Sequence, residues 1–425
     1  MKKHAVLFKN IRIADPESNL NNQLCNISVK DGKIHIHMSL DSAFDGDVFE
    51  CSGLLASPGI FDFQVTGGEP GYEERETFES LSKAALRGGV TSLNLMPDLL
   101  PVTDHRGAVA FINQTTAALP VEFIPAGALS VGMKGKDLTE MVALRKEGVA
   151  VFTDDKSAVS NTLLLHLALQ YTKLSGGIIM IHPDDAALTQ GALVNEGEYS
   201  TRLGLKSAPE ISEILGIQRA ITLAEYHDVP ILIAGISCAK SVDVIRMAKA
   251  AGIKVYCSTY PHHLLFNDEY LEKFDSNFKS WPPLRNENDR HALIRGLRDG
   301  TIDILCSDHR PEPVEHKDVE FAYAHFGMES IECLYAASRT ALNDELDLDV
   351  LIRTLCINPR KMVGKALAQI EDGAPANFFI HHPKETYTFT KEMIFSKSSN
   401  SPYIDKQLQG KIYGTCTSKG WYFDS

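Results

Sequence analysis

The segment PGIFDFQVTGGEPGYEERETFESLSKAALRGGVTSLNLMPD (58–98) sets the architecture. It opens on a short apolar run, GIFDFQV (59–65), passes through the helical pattern TFESLSKAALRGG, and closes on a second apolar run, TSLNLM (91–96). Apolar strands joined by helices build a parallel sheet. The texture then repeats. Further apolar runs follow at EFIPAGAL (122–129), VAVFTDD (149–155), IIMIH (178–182), ILIAGIS (231–237), KVYCSTY (254–260) and DILCSDH (303–309), with helical stretches such as SAPEISEILGIQRAITLAEYHD between them. Eight such units predict a closed (β/α)8 barrel rather than an open sheet.

Outside this region the pattern is that of short strands and turns. AVLFKNIRI, QLCNISVKDGKIHIHM and VFECSGLLA carry apolar alternation before the barrel, and IEDGAPANFFIHH, QLQGKIYGTCTSKG and WYFD carry it afterwards. The expected organisation is an α/β chain with a barrel over 57–366 and one small composite β-domain from 1–56 and 367–425. His35, His37, His381 and His382 fall in that β-domain and are expected at its surface.

Composition narrows the functional classes. The chain has 425 residues, 44% of them apolar, and a formal net charge of −13. An acidic balance argues against nucleic acid or an anionic membrane as the main partner. The eight cysteines are single, with no CxxC pair, which points to neither a zinc ribbon nor a disulfide framework. The N-terminus lacks the apolar run of a signal peptide, and no stretch approaches 18 continuous apolar residues. A reducing cytoplasm is the expected location.

Polar residues gather at the ends of the predicted strands: Asp154, Asp155, His182, Asp308 and His309. In a (β/α)8 barrel the C-terminal strand ends form the active-site mouth, and converging carboxylates and imidazoles there are what a divalent metal needs. Each taken alone could equally cap a strand or a following helix.

With these motifs in order, the chain resembles the dihydroorotases of the metal-dependent amidohydrolases. The resemblance runs through the 58–98 segment, FTDDK (152–156), IHPDDAAL (181–188), NEGEYSTRLGLKSAP (195–209), PHHLLFND (261–268), PPLRNENDRHALIRGLRDGTIDILCSDHRPE (282–312), EDGAPANFF (371–379) and SKSSNSPY (396–403). It looks nearest the longer bacterial type that associates with aspartate transcarbamoylase. The resemblance implies one or two zinc ions, two histidines spaced two apart on the first strand, a third histidine ligand later, and an Arg–Asn clamp for the substrate carboxylate.

The departures from that pattern carry more information. The two histidine positions are Gln64 and Thr66, and the third falls at Gly235. The clamp positions are Gly68 and Asp98, and the Asn expected before Pro-Pro-Leu-Arg is Trp281. Asp154 (or Asp155) is retained at the bridging position, His182 as one ligand, and Asp308 as both ligand and general base. The resemblance therefore implies a dihydroorotase homologue that is catalytically inactive, with no bound cofactor or at most one weakly held zinc. Its expected role is that of a structural partner, homodimeric, with aspartate transcarbamoylase as the candidate partner. The alternative is an active cyclic amidohydrolase with a single zinc on Asp154, His182 and Asp308, helped by Cys257, His309 or Glu312; it extends to an active dihydroorotase with unconventional ligands. His262 and His263 are expected to be structural, and Cys257 and Cys306 to be buried thiols.

Overall fold

The computed structural model describes residues 2–39, 44–343 and 346–424. Eight parallel strands form the central layer: Ile60–Val65, Val90–Leu95, Glu122–Pro125, Val151–Phe152, Ile178–Ile181, Ile231–Ile233, Val255–Thr259 and Ile304–Leu305. Parallel bridges between Gly127 and Phe152, and between Val65 and His309, join the three-stranded and five-stranded parts into a closed ring. Several strands are shorter than the apolar runs that encode them. In 303–309 the ladder ends at Leu305, and the backbone enters the left-handed region at Asp308, at a φ of 54°. In the run from Val149 to Asp155 the ladder ends at Phe152, and Asp155 is left-handed at a φ of 48°. Aspartate tolerates this conformation better than most residues, and it aims both carboxylates away from the ladder.

The barrel has two apolar layers. Phe61, Phe63, Met96, Ile124, Met180, Leu232 and Ile304 fill its interior. A second set, including Leu81, Ile179, Ile217, Ile231 and Leu293, seals the helices onto its outside. The helix Phe78–Arg87 shows how sequence produces this packing. Thr77 accepts a hydrogen bond from the Ser80 N–H at 3.2 Å and stops the chain from extending upstream. Phe78, Leu81, Ala84 and Ala85 then recur at helical spacing and are buried.

Strands from both chain ends share one sheet, in the order Gly420–Phe423, Gln407–Thr417, Asn377–Thr388, Leu55–Pro58, Val6–Ile13, Leu24–Lys30 and Lys33–His37, with Asp47–Glu50 pairing to Val6–Ile13. Phe8, Ile11, Ile27, Phe378 and Trp421 form its core. His381, expected at the surface, is fully buried between this sheet and the helix Leu334–Leu342. Its Nε2 meets the Ser57 hydroxyl at 2.8 Å and its Nδ1 the Tyr335 hydroxyl at 2.7 Å, and burial pushes its pKa down to about 3. Sheet alternation turns it to the face covered by the helix Leu334–Leu342, where Tyr335 meets it. His35, His37 and His382 are half-buried. All eight cysteines are buried and unpaired. Among the described residues no helix is long and apolar enough to cross a membrane.

Candidate functional site

The site forms where the strand ends converge at the mouth of the barrel. Gln64, from the first strand, places its Oε1 2.9 Å from the Tyr260 hydroxyl, which donates to it, while its own amide donates to Asp155 Oδ1 at 3.4 Å. Lys156 reaches across the mouth. Its ammonium pairs with Asp308 Oδ1 at 2.7 Å and donates to the Tyr260 hydroxyl at 3.1 Å and the Trp281 carbonyl at 2.7 Å. On the far side the Arg310 guanidinium spans two carboxylates, Asp98 at 2.9 Å and Asp155 in closer contact. One continuous network thus runs from Trp281 through Lys156, Tyr260, Gln64, Asp155 and Arg310 to Asp98. Above it lies a cavity of about 530 Å³ walled by Lys156, Trp281, Asp308, Arg310 and Phe326. The Trp281 and Phe326 rings meet edge to face, 5.5 Å apart.

Several expected residues lie elsewhere. Asp154, expected among the retained metal positions, turns away: its carboxylate accepts from the Ser130 N–H at 2.9 Å and from the Ser130 hydroxyl. Asp155 faces the mouth instead, pairing with Arg310 and accepting from the Gln64 amide, with its backbone at a φ of 48°. His182 stands at the end of its strand, buried, with Nδ1 unpartnered; burial, followed by the nearby Lys156 charge, holds it well below its ordinary pKa. Thr66 is buried, with its N–H on the His309 carbonyl. Of the expected helpers, the Cys257 thiol donates to the Thr301 carbonyl at 3.3 Å, and His309 lies between Glu76 and Glu329. Glu312 faces His316 and His325. His262 and His263 are buried behind the mouth, and His263 Nε2 meets the Pro282 carbonyl at 3.1 Å.

Two glycines show that the missing side chains have been replaced by other atoms. A Cβ on Gly235 would lie 2.2 Å from the Tyr260 hydroxyl, and its φ is +66°. A Cβ on Gly68 would lie 2.3 Å from both the Tyr72 and Glu76 carbonyl oxygens. Histidine at 235 or arginine at 68 would therefore need the tyrosine or the backbone to move.

A metal pair of the kind implied by the family resemblance does not fit these residues. Gln64 and Thr66 offer neutral oxygens where imidazole would bind better, Gly235 offers nothing, and two side-chain cations already pair with the three carboxylates. Lys156 and Arg310 were not among the expected site residues. The available signal was their position, each within two residues of a strand-end aspartate.

Burial lifts three carboxyl groups in and beneath the mouth, Asp62, Asp98 and Asp308. Asp98 and Asp308 are pushed up to about 6, with Arg310 and Lys156 respectively pulling in the other direction. Asp62, beneath the mouth, is fully buried; Oδ1 accepts from the Ser307 N–H at 3.0 Å, Oδ2 has no partner, and burial raises its pKa from 3.8 to about 6. Because the folded protein holds this proton more tightly than the unfolded chain, stability falls as pH rises from about 4 through 6 and stays lower above. A shift of about two units corresponds to roughly 3 kcal/mol. Asp62→Asn is expected to raise the melting temperature near pH 7.5 and to flatten the slope between about pH 4 and 6. A melting curve series with an unchanged slope would contradict this.

The preserved motifs hold the scaffold around the mouth. Arg285, buried, donates to Asn195 Oδ1 at 2.8 Å and to the Ser237 hydroxyl at 3.0 Å, and its guanidinium lies 3.4 Å from Glu213.

A family model described as Dihydro-orotase-like matches residues 53–241. The chain is 35% identical over 408 residues to the dihydroorotase of Geotalea daltonii, covering 95% of this chain and 96% of that one. The chain belongs to the dihydroorotase family. A second dihydroorotase, from Acetivibrio thermocellus, is 36% identical to this family member over 414 residues, covering 96% and 97% of the two chains. Among solved structures, the L-hydantoinase (dihydropyrimidinase) of Arthrobacter aurescens superposes with a TM-score of 0.85 at 21% identity, covering 99% of this chain and 96% of that one. A dihydropyrimidinase from Brevibacillus agri gives 0.83 at 19%, covering 99% and 95%. These likenesses bear on the fold, a TIM barrel with an attached β-domain.

Proposed function

We propose that this chain is a dihydroorotase homologue of pyrimidine biosynthesis that no longer hydrolyses the ring amide and acts as a structural partner, with aspartate transcarbamoylase as its candidate partner. The observation that carries this reading is the replacement of ligands by ion pairs: Lys156 on Asp308, and Arg310 across Asp98 and Asp155. Ring hydrolysis needs a metal to lower the pKa of water and polarise the amide. Here the carboxylates that would serve it are engaged by the protein's own cations. Any zinc at this mouth would be single and weakly held.

An assembly role has its own support. The helix Thr162–Ser175 carries Leu163, Leu167, Tyr171 and Leu174 along one stripe, spaced four, four and three residues apart and exposed. The neighbouring helix Glu210–His227 adds exposed Ile211, Leu215 and Tyr226. A stripe of exposed apolar side chains on one helix, beside others on its neighbour, is the kind of surface that interaction sites use, for a partner or for a second copy. Mixing this protein with aspartate transcarbamoylase of the same organism is expected to give co-elution, lost on Leu167→Asp with Leu174→Asp. Separate elution would remove the named partner.

A second reading, an altered cyclic-amide hydrolase, draws on Asp308, a carboxyl near 6 at the cavity wall. The two readings part on ligand binding. With Gly68 and Asp98 in place of a clamp, calorimetry is expected to detect no micromolar binding of dihydroorotate or carbamoyl-aspartate. Losing a buried charge-assisted contact costs about 2–5 kcal/mol. Tight binding of either ligand would favour the hydrolase.

A further inference from the structure

On the rim of the cavity the chain following the last barrel strand brings three ligand atoms together. Glu312 Oε2 lies 2.8 Å from His316 Nδ1 and 3.1 Å from His325 Nδ1. Among the described residues this is the one group of three or more histidine, cysteine or acidic side chains whose ligand atoms all lie within 4.8 Å of one another. We infer that Glu312, His316 and His325 form a mononuclear site for a divalent transition cation of the zinc class, on the rim of the cavity above the barrel mouth. It does not rest on the mouth being inactive.

The donor chemistry matches. Two imidazoles and a carboxylate are a common zinc set, leaving the fourth position to water. Ligands at about 2.0–2.1 Å in a tetrahedron stand roughly 3.3 Å from one another. The two distances to Glu312 therefore need to open by only a few tenths of an ångström. The side chains that must move can do so: His316 and His325 are 35% and 47% exposed, whereas Glu312, at 3%, is the fixed point.

The segment is held ready. The Glu312 N–H donates to Asn400 Oδ1 at 3.1 Å, and the His325 N–H donates to the His316 carbonyl at 3.0 Å, which ties the two histidines together. Two buried lysines pin the intervening loop. Lys317 donates to the carbonyls of His325 and Gly327, at 2.9 and 3.0 Å, and Lys279 to those of Phe321 and Ala324, at 2.6 and 2.7 Å. Cations of the protein oppose the ion: Arg75 Nε is 3.7 Å from the same carboxylate oxygen, with its guanidinium over the Tyr72 ring, and Lys317 and Arg310 also feel the Glu312 charge. The bound cation would share Glu312 with them.

The test uses tag-free full-length protein, stripped with chelator and titrated with zinc chloride alone by calorimetry, with cobalt(II) absorption as a second readout. One equivalent is expected, unchanged in Asp308→Asn. His316→Ala and His325→Ala, each on an exposed side chain and checked for folding by circular dichroism, are expected to weaken binding by more than the roughly 10–100-fold that losing an outer-shell partner costs. No zinc binding, or an affinity unmoved by either histidine change, overturns this site and leaves the reading of the barrel mouth intact. Binding lost in Asp308→Asn but kept in both histidine variants overturns this site and assigns the cation to the mouth.

Discussion

Purified protein supplied with zinc is expected to show no dihydroorotase turnover in either direction above the uncatalysed rate. Two requirements fail together. Water activation fails because the histidine positions are Gln64, Thr66 and Gly235, and because the Tyr260 hydroxyl fills the space a side chain at 235 would take. Substrate orientation fails because Gly68 carries no guanidinium and Asp98 would repel the carboxylate it should bind. Asp308 remains, but it is paired with Lys156. A general base alone contributes about 10²–10⁴-fold, against the ~10⁶-fold or more of ordinary enzymes. Restoring Gln64→His, Thr66→His, Gly68→Arg and Gly235→His together is expected to leave the protein inactive, since the turn at Gly68 and the Tyr260 hydroxyl occupy the space that side chains at 68 and 235 would take. The measurement is ring opening and closure followed by ultraviolet absorbance. Zinc-dependent turnover abolished by Asp308→Ala would sink the inactive reading.

Arg310→Met is expected to destabilise the protein by about 3–5 kcal/mol, the usual cost of leaving a buried charge without its partner. Among the described residues Arg310 is the one cation contacting both Asp98 and Asp155, and the Asp155 side chain is only 2% exposed. Removing the guanidinium sets two carboxylates against each other in a poorly solvated mouth. Adding Asp98→Asn and Asp155→Asn to Arg310→Met should recover most of the loss, because the uncompensated charge goes with them. A metal-binding mouth predicts the opposite: without Arg310, zinc should bind and stabilise. Denaturant midpoints with and without zinc separate the two outcomes. A shift below about 1 kcal/mol for Arg310→Met, the range of a surface pair, would mean that the arginine does not hold the mouth together.

The sequence by itself determined the fold class and the deletions at the mouth. Strand and helix periodicity is a property of neighbouring residues, so the (β/α)8 alternation could be read from apolar spacing in segments such as 58–98. The absent histidines could be read because ligand positions occur at set offsets within short motifs. What replaced them required the tertiary structure. Lys156 and Asp308 are 152 positions apart in the chain, and Arg310 and Asp98 are 212 apart; only the closed barrel places those strand ends within a side chain's length. Asp154 and Asp155 are adjacent and of one type, and only the tertiary contacts tell them apart: Asp154 accepts from Ser130, whereas Asp155 pairs with Arg310 across the mouth. His381 looked like a surface residue in a strand of mixed polarity, until the packing of its sheet against the helix of Tyr335 buried it. Local patterns encode which elements form. Long charged side chains and their partners are chosen only after those elements have closed, because a contact across the barrel depends on direction and reach that no stretch of sequence contains.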